Sequence, residues 1–364
     1  MSNKFELKFK PQNVLEHLQD EESKFIYENR MAYNLSRDYM FIKKIVDATM
    51  FDVYRQFLDK FSPRRKILFG AGACGKWLVE LFGTSYFKYA VDSNADKISD
   101  FPIKIISFDE FIKLNDDVDV IISTYFFATI LPMKKQLISA GIDSKRIIAY
   151  GGGGIFTGQY FDLPQLEFQR EVFVDAGSYN LYTSEQFLSL YPTAKKIVAF
   201  EPDPSNFELA KQRETLLQSK YPKCEISLLN CGLSDKSGEL SFTSDLHGGS
   251  FINVERNSLY DGVFTNVGGN SLIKVTTIDE ICPDATFIKM DIEGSELDAL
   301  KGAKNTIVAN KPKLAISVYH KSTDLWEIPA LLLEYNPDYK FYLRHYSCSH
   351  WETVLYAIQL GGKQ

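Results

Sequence analysis

From Lys66 onward, short apolar runs alternate with segments of helical spacing, and the alternation occurs twice. KILFGAGACGKWLVELFG is a run, a glycine turn and a helix, and FKYAVDS and DVDVIISTY follow as strands ending in polar residues. A second series starts at REVFVDAG and continues through KKIVAFEPDP, CEISLLNCGLSD, the hairpin-like GELSFTS, IKVTTIDEI, TFIKMDIEGSE and KLAISVYHK. Runs of strand length separated by helical segments predict a parallel sheet covered by helices on both faces, with ligands bound beyond the carboxyl ends of its strands. YKFYLRHYS and TVLYAIQL add two strands, expected to be antiparallel at the sheet edge, so the second sheet is mixed.

The chain has 364 residues, 45% of them hydrophobic and 14% aromatic, which is enough apolar mass for more than one core. Before the first sheet, the spacing of Val14, Leu15 and Leu18, of Phe25 and Ile26, of Met40, Ile42, Ile45 and Val46, and of Phe51, Tyr54 and Phe57 predicts amphipathic helices. Gly151 to Gly154 leave the backbone little stiffness and read as a linker. The expected organisation is α/β, with two Rossmann-like doubly wound domains: a helical segment over 1–62, a first domain over 63–150, a linker over 151–167 and a second domain over 168–364.

A formal net charge of −6 argues against an extended phosphate-binding surface, so nucleic acid is not an expected partner. Cys74, Cys224, Cys231, Cys282 and Cys348 are odd in number, scattered and never spaced C-x-x-C. They support neither a disulfide framework nor a zinc site, and fit a reducing compartment. MSNKFELKFKPQ has no apolar h-region, and no run approaches the ~18 apolar residues of a membrane span. A soluble cytoplasmic protein is expected, with homo-oligomerisation left open.

The first glycine turn satisfies G-x-G-x-x-G through Gly70, Gly72 and Gly75, between a strand and a helix, with Asp92 ending the next strand. In this context glycines let the backbone approach a pyrophosphate at a helix N-terminus while the acid accepts from ribose hydroxyls. Only one mononucleotide half precedes the linker, and no hydride-transfer constellation accompanies it, which disfavours an NAD-dependent oxidoreductase. A glycine turn kept for packing is the plain alternative.

The second turn carries Asp175 just before Gly177. A fixed negative charge there repels pyrophosphate and attracts an ammonium or sulfonium, while glycine permits close backbone approach. Glu201 ends the next strand, where a ribose diol comes within reach. A cationic nucleoside with a free ribose is S-adenosylmethionine. The plain alternative makes Asp175 a helix cap and Glu201 a solvated strand end.

VFVDAGSYN, VAFEPDPSNFELAK, the GGS at 248–250, VTTIDEI, FIKMDIEGSELDALKGA and PKLAISVYHK with DLWEIP together resemble the FkbM-type S-adenosylmethionine-dependent methyltransferases over about residues 168–360. The resemblance implies a class I methyltransferase fold and, for many members, O-methylation of sugars in polysaccharides, glycolipids or antibiotics. Carried over, Asp175 and Gly177 match the first cofactor motif, with Tyr179 and Asn180 in the same turn. Glu201 matches the ribose acid, and Gly232 joins the cofactor set. Many relatives have glycine where this chain has Leu181. Residues 66–150 resemble the nucleotide-sugar-binding-like modules attached to sugar-modifying enzymes, with Gly70, Gly72, Gly75 and Asp92 as the ligand residues.

A sugar hydroxyl is a poor nucleophile until its proton leaves, so a base is expected within hydrogen-bond reach. Asp291 and Glu293 are expected to share one face by period 2 at a strand end, and His320 ends the next strand. His320 is the expected general base, oriented by a carboxylate. A lesser rival reading has the two carboxylates and the imidazole hold Mg²⁺ or Mn²⁺ with a substrate diol. Lys289 could share the face of Asp291 or form a surface ion pair. His247 lies in a loop that could cover the acceptor, and His345 and His350, near Tyr342, Tyr346 and Trp351, could line a stacking platform for a sugar. A non-catalytic nucleotide-sugar-binding protein on a methyltransferase scaffold is the alternative reading.

Overall fold

The computed structural model describes residues 11–49, 55–56, 58, 62–124, 127–149, 158–243, 251–252, 270–347 and 349–359. The chain divides into two compact units, one formed by Met1–Ile45 with Gly158–Gln364 and the other by Val46–Thr157. It opens with three helices, α1 (Pro11–His17), α2 (Glu21–Ser36) and α3 (Met40–Thr49).

The Val46–Thr157 unit contains β1 (Arg65–Phe69), α4 (Ala73–Phe82), β2 (Phe87–Val91), β3 (Ile105–Ile106), α5 (Phe108–Leu114), β4 (Val118–Ile122), α6 (Phe127–Ser139) and β5 (Ile147–Ala149). Its five strands lie parallel in the order β3-β2-β1-β4-β5, so chain direction across the sheet reverses beside β1. Ile67, Val120 and Ile122 are fully buried in its core, as expected for strands covered on both faces.

The other unit begins its sheet with β6 (Val172–Ala176), α7 (Tyr182–Leu190), β7 (Lys196–Phe200), α8 (Pro204–Lys220) and β8 (Glu225–Leu229). A smaller sheet follows, built from β9 (Gly232–Leu233), β10 (Gly238–Thr243), β11 (Phe251–Ile252) and β12 (Asn270–Thr276). The main sheet resumes with α9 (Ile278–Ile281), β13 (Phe287–Met290), α10 (Glu296–Lys301), α11 (Lys304–Asn310), β14 (Lys313–Ser317), α12 (Asp324–Tyr335), β15 (Lys340–His345) and β16 (Thr353–Ile358). Its seven strands run β15-β16-β14-β13-β6-β7-β8, and only β16 opposes its neighbours. The mixed edge expected from the last two sequence runs is therefore present.

Phe173 and Phe287 are register partners on β6 and β13, and their rings stack 4.9 Å apart at 18°. Phe187 from α7 closes on Phe173 at 4.5 Å, which fixes that helix against the sheet. The N-terminal helices pack on the far edge of the same sheet. Gln19 N donates to Phe341 O at 3.0 Å, Leu343 N donates to Ser23 Oγ at 2.9 Å, and Arg344 reaches Asp20 at 2.7 Å. Asp20 is also the N-cap of α2, accepting from Ser23 N at 2.8 Å. Among the described residues no helix is long and apolar enough to cross a membrane.

Candidate active site

The turns that leave β6, β7, β13 and β14 gather at one end of the main sheet. Gly177 adopts φ 76°, and a Cβ added there would stand 1.8 Å from Asp291 O. The β6 and β13 turns are thus pressed together at a point only glycine fits. Gly177 N and Ser178 N both donate to Phe200 O, at 3.1 and 3.0 Å, tying the turn to the end of β7. Tyr179 and Leu181 follow at φ 50° and 61°. Non-glycine residues in the left-handed region cost about 1–3 kcal/mol each and concentrate at ligand-holding turns. Leu181 has no exposed surface, so apolar burial offsets its backbone strain. The backbone therefore takes up the glycine-like conformation although the residue is leucine.

Asp175 is not at the mouth of a cleft as its sequence position suggests. It lies within β6 and is 0% exposed. Its Oδ1 meets Lys289 Nζ at 3.2 Å, and its Oδ2 accepts from Ser184 Oγ at 2.7 Å. Lys289, 2% exposed, also donates to the carbonyls of Ala176 and Gly177 at 3.1 and 2.8 Å. Asp175 and Lys289 neutralise one another and pin β6, β13 and the start of α7 in register. This corrects both the free attracting charge at Asp175 and the surface ion pair at Lys289.

Glu201 follows β7 and is 5% exposed. Its Oε2 accepts from Tyr179 N at 2.8 Å and its Oε1 from Asp203 N at 2.9 Å. Burial pushes its carboxyl up to about 7, against the pull of those two N–H donors. Asn230 Nδ2 donates to Glu201 O at 2.8 Å, bringing the segment after β8 alongside. Gly232, two residues on, is buried in β9 opposite Val275. Asn180 Oδ1 accepts from Arg213 at 2.9 Å, Tyr179 is 44% exposed, and the buried Ser178 hydroxyl has no hydrogen-bond partner among the described residues.

Past β13 and β14, Asp291, Glu293 and His320 do converge. Strand alternation is not the cause, because β13 ends at Met290 and Glu293 takes φ 55°. His320 Nε2 lies 3.4 Å from both Asp291 Oδ1 and Glu293 Oε2, while its Nδ1 lies 2.9 Å from Glu296 Oε1. Asp291 also accepts from Tyr160 at 2.9 Å and Tyr319 at 3.1 Å. Burial disfavours the imidazolium, but Glu296 first and then Glu293 outweigh it and raise His320 well above its ordinary range. Burial carries Glu293 up to about 8. For Asp291, burial is overcome by His320 and then Lys289, which hold it below the usual carboxylate value. The three carboxylates thus favour the protonated imidazole, and the proton acceptor is better sought among them.

Glu296 was missed in the sequence because ELDALK reads as an ordinary amphipathic helix, yet it is 0% exposed and oriented toward the imidazole. Other sequence candidates serve packing. His345 donates to or accepts from Thr353 Oγ1 at 2.8 Å, and His350 pairs through Nδ1 with Tyr39 at 2.5 Å. Burial lowers both to about 3 and keeps them neutral. With Tyr342 and Tyr346 buried as well, this group is core rather than an open stacking platform. His247 and the GGS after it lie outside the described residues.

In the Val46–Thr157 unit the fingerprint glycines have separable causes. Gly70, at φ 119°, would bring a Cβ 2.9 Å from Ser123 O, and Gly75 would bring one 2.4 Å from Gly70 O. At Gly72 a Cβ would meet nothing within 4 Å. Asp92 accepts from Ala71 N at 2.9 Å and Asn94 N at 2.8 Å, so it holds the turn itself.

The seven-stranded mixed sheet, with an acid after β7, makes this an α/β domain with its polar turns at one end. Residues 175–346 match the model of the methyltransferase FkbM domain, and the C-terminal region of this chain is such a domain. The chain is 27% identical to the 2-O-methyltransferase NoeI of Sinorhizobium fredii, over 40% of this chain and 63% of that protein. It is 29% identical to the hexuronic acid methyltransferase AglP of Haloferax volcanii, over 39% of this chain and 54% of that protein. Methyltransferase sdnD of Sordaria araneosa is 29% identical, over 41% and 66% respectively. The chain thus spans between 54% and 66% of the length of these relatives. The crystal structure of methyltransferase FkbM from Methylobacillus flagellatus aligns over 89% of this chain and 100% of its own, at 21% identity and a TM-score of 0.49.

Proposed function

We propose that this protein is an S-adenosylmethionine-dependent O-methyltransferase acting on a hydroxyl of a saccharide or saccharide-linked acceptor. The observation that carries the reading is the Glu201 carboxyl, buried at the end of β7 and held by Tyr179 N and Asp203 N. A carboxyl so fixed suits the two hydroxyls of a ribose. The orphaned Ser178 hydroxyl, the exposed Tyr179 and the half-buried Asn180 complete a turn able to hold the rest of the cofactor. Bound S-adenosylmethionine supplies an electrophilic methyl on a sulfonium.

The chain's residues would then supply position and proton transfer. Glu293, with its carboxyl at about 8, is matched to accept the proton of an acceptor hydroxyl as the oxygen–methyl bond forms and the carbon–sulfur bond breaks. Its electron pair leaves with sulfur, giving the thioether. His320 Nε2, 3.4 Å from Asp291 Oδ1, keeps that carboxylate turned toward the same space. Holding the hydroxyl in line with the methyl accounts for much of the rate in such a design. The saccharide acceptor is drawn from the names of NoeI and AglP.

We assign the Val46–Thr157 unit to a nucleotide or nucleotide sugar. Gly72 supports this, since packing explains Gly70 and Gly75 but leaves the open side of Gly72 facing space that a phosphate could enter. Calorimetric titration with S-adenosylhomocysteine tests the central reading. Binding that disappears in Glu201→Ala supports it. No binding, together with uptake of NAD or a nucleotide sugar lost in Gly72→Val, overturns it in favour of a nucleotide-sugar-binding protein on a methyltransferase scaffold.

A further inference from the structure

Asp291 is held by residues outside the matched 175–346 span as well as inside it. Tyr160, in the short segment 158–163 ahead of β6, donates from its Oη to Asp291 Oδ2 at 2.9 Å. Asp291 Oδ1 accepts from Tyr319 Oη at 3.1 Å and lies 3.4 Å from His320 Nε2. An ionised carboxylate offers about four acceptor positions. Tyr160, Tyr319 and His320 take up three of them, and Tyr160 is the donor to Oδ2 among the described residues. Tyr160 is also built into its place. It is 6% exposed, and its backbone takes φ 75°, a left-handed conformation that residues with a Cβ rarely adopt and that persists where surrounding contacts enforce it. Its N donates to Tyr356 Oη at 3.1 Å, the Lys289 ammonium stands 5.4 Å from the centre of its ring, and the neighbouring Phe161 ring packs 5.4 Å from that of Phe187. These contacts anchor the segment without help from Asp291, so the phenol serves the carboxylate rather than the other way round.

We propose that Tyr160 is a positioning residue for methyl transfer: its phenol fixes the Asp291 carboxylate so that the remaining acceptor position faces the point where the methyl passes from sulfur to oxygen. The role rests on the methyltransferase reading of this site. The acceptor oxygen gains positive charge as it takes the methyl and loses it as Glu293 removes the proton, and a fixed carboxylate beside it favours that charge. Such a group is effective because it does not have to turn during the reaction. Without the phenol, Oδ2 has no donor among the described residues, and Coulomb attraction draws the carboxylate further onto His320 and Lys289. Since Tyr160 precedes the family-matched span, the acceptor side in this chain depends on a residue that the matched residues do not include.

Calorimetric titration of the full-length protein with S-adenosylhomocysteine and with sinefungin tests this role without any acceptor. Sinefungin carries an ammonium-bearing carbon where the cofactor has its methylsulfonium, so its N–H groups enter the space that Asp291 faces, whereas S-adenosylhomocysteine has nothing there. The unaltered protein should bind sinefungin about tenfold more tightly, as expected for one charge-assisted hydrogen bond. Tyr160→Phe removes one oxygen and keeps the ring, and should cut that preference by roughly threefold or more while leaving affinity for S-adenosylhomocysteine within about twofold. In Asp291→Asn the preference should be absent, and adding Tyr160→Phe should change it no further. A role confined to folding would weaken both ligands alike. An unchanged ratio in Tyr160→Phe therefore overturns the positioning role, as does loss of S-adenosylhomocysteine binding in that variant. Equal affinity of the unaltered protein for the two ligands overturns it as well and leaves the methyltransferase reading standing. Binding of neither ligand sinks the methyltransferase reading, and the role of Tyr160 with it.

Discussion

At the scale of single residues, the site is held by charges that face inward. Lys289 and Asp175 are 2% and 0% exposed, so removing one leaves the other buried without compensation. Lys289→Met is expected to destabilise the fold by about 3–5 kcal/mol, whereas Asp175→Asn with Lys289→Met should recover a large part of that loss. Urea unfolding of the three proteins checks this, and a double variant no more stable than Lys289→Met alone would refute the pairing. Glu201 yields a pH prediction. Because its folded value is raised to about 7, its stabilising contribution is present at low pH and is lost as pH rises through 7, when the buried carboxyl ionises. Ribose hydroxyls donate to the ionised form, so affinity for S-adenosylhomocysteine should rise about tenfold between pH 6 and 8. Titrations at the two pH values should show the rise in the native protein and none in Glu201→Gln. The acids at strand ends were legible in the sequence because strand endings mark ligand positions in parallel sheets. The burial of Asp175, its pairing with Lys289 and the inward turn of Glu296 were not, since each depends on which element lies across the sheet.

At the scale of elements, periodicity exposed the strands and helices of both series, and the direction of the last two strands followed from their length and position. The docking of the first helices was not legible. Gln19 bonds to Phe341 and Asp20 to Arg344, pairs separated by more than 300 residues, and no local pattern encodes a contact at that distance. The small sheet was only partly legible, because GELSFTS reads as a hairpin strand while the parallel pairing of β12 with the two-residue β9 leaves no period to detect. Asp20 serves two elements at once, as the N-cap of α2 and as the partner of Arg344 on β15. Asp20→Ala should destabilise by about 1–2 kcal/mol, mostly from the lost cap, since the partly exposed ion pair contributes little. Asp20→Asn keeps a capping oxygen and should restore most of the loss in a thermal melt. Equal melting of the two variants would place the contribution in the ion pair instead.

At the scale of the whole molecule, the chain forms one unit from its two ends and another from its middle, and the proposed cofactor residues Gly177 and Glu201 belong to the first. Two cores of this kind should unfold as two calorimetric transitions. A ligand that binds one folded unit raises only that transition, by about 2.7 kcal/mol at a hundredfold excess over its Kd. S-adenosylhomocysteine should therefore shift a single transition, the same one that Asp20→Ala lowers, because α2 and the proposed cofactor turn belong to the same compact unit. Gly75→Ala should lower the other, since its added Cβ would stand 2.4 Å from the Gly70 carbonyl oxygen in the middle unit. The assignment of transitions thus rests on two substitutions far from the proposed ligand. If the homocysteine compound moved the transition sensitive to Gly75→Ala, the cofactor would bind at the first glycine turn, and Glu201 would be a buried acid that only shapes the turn around Tyr179.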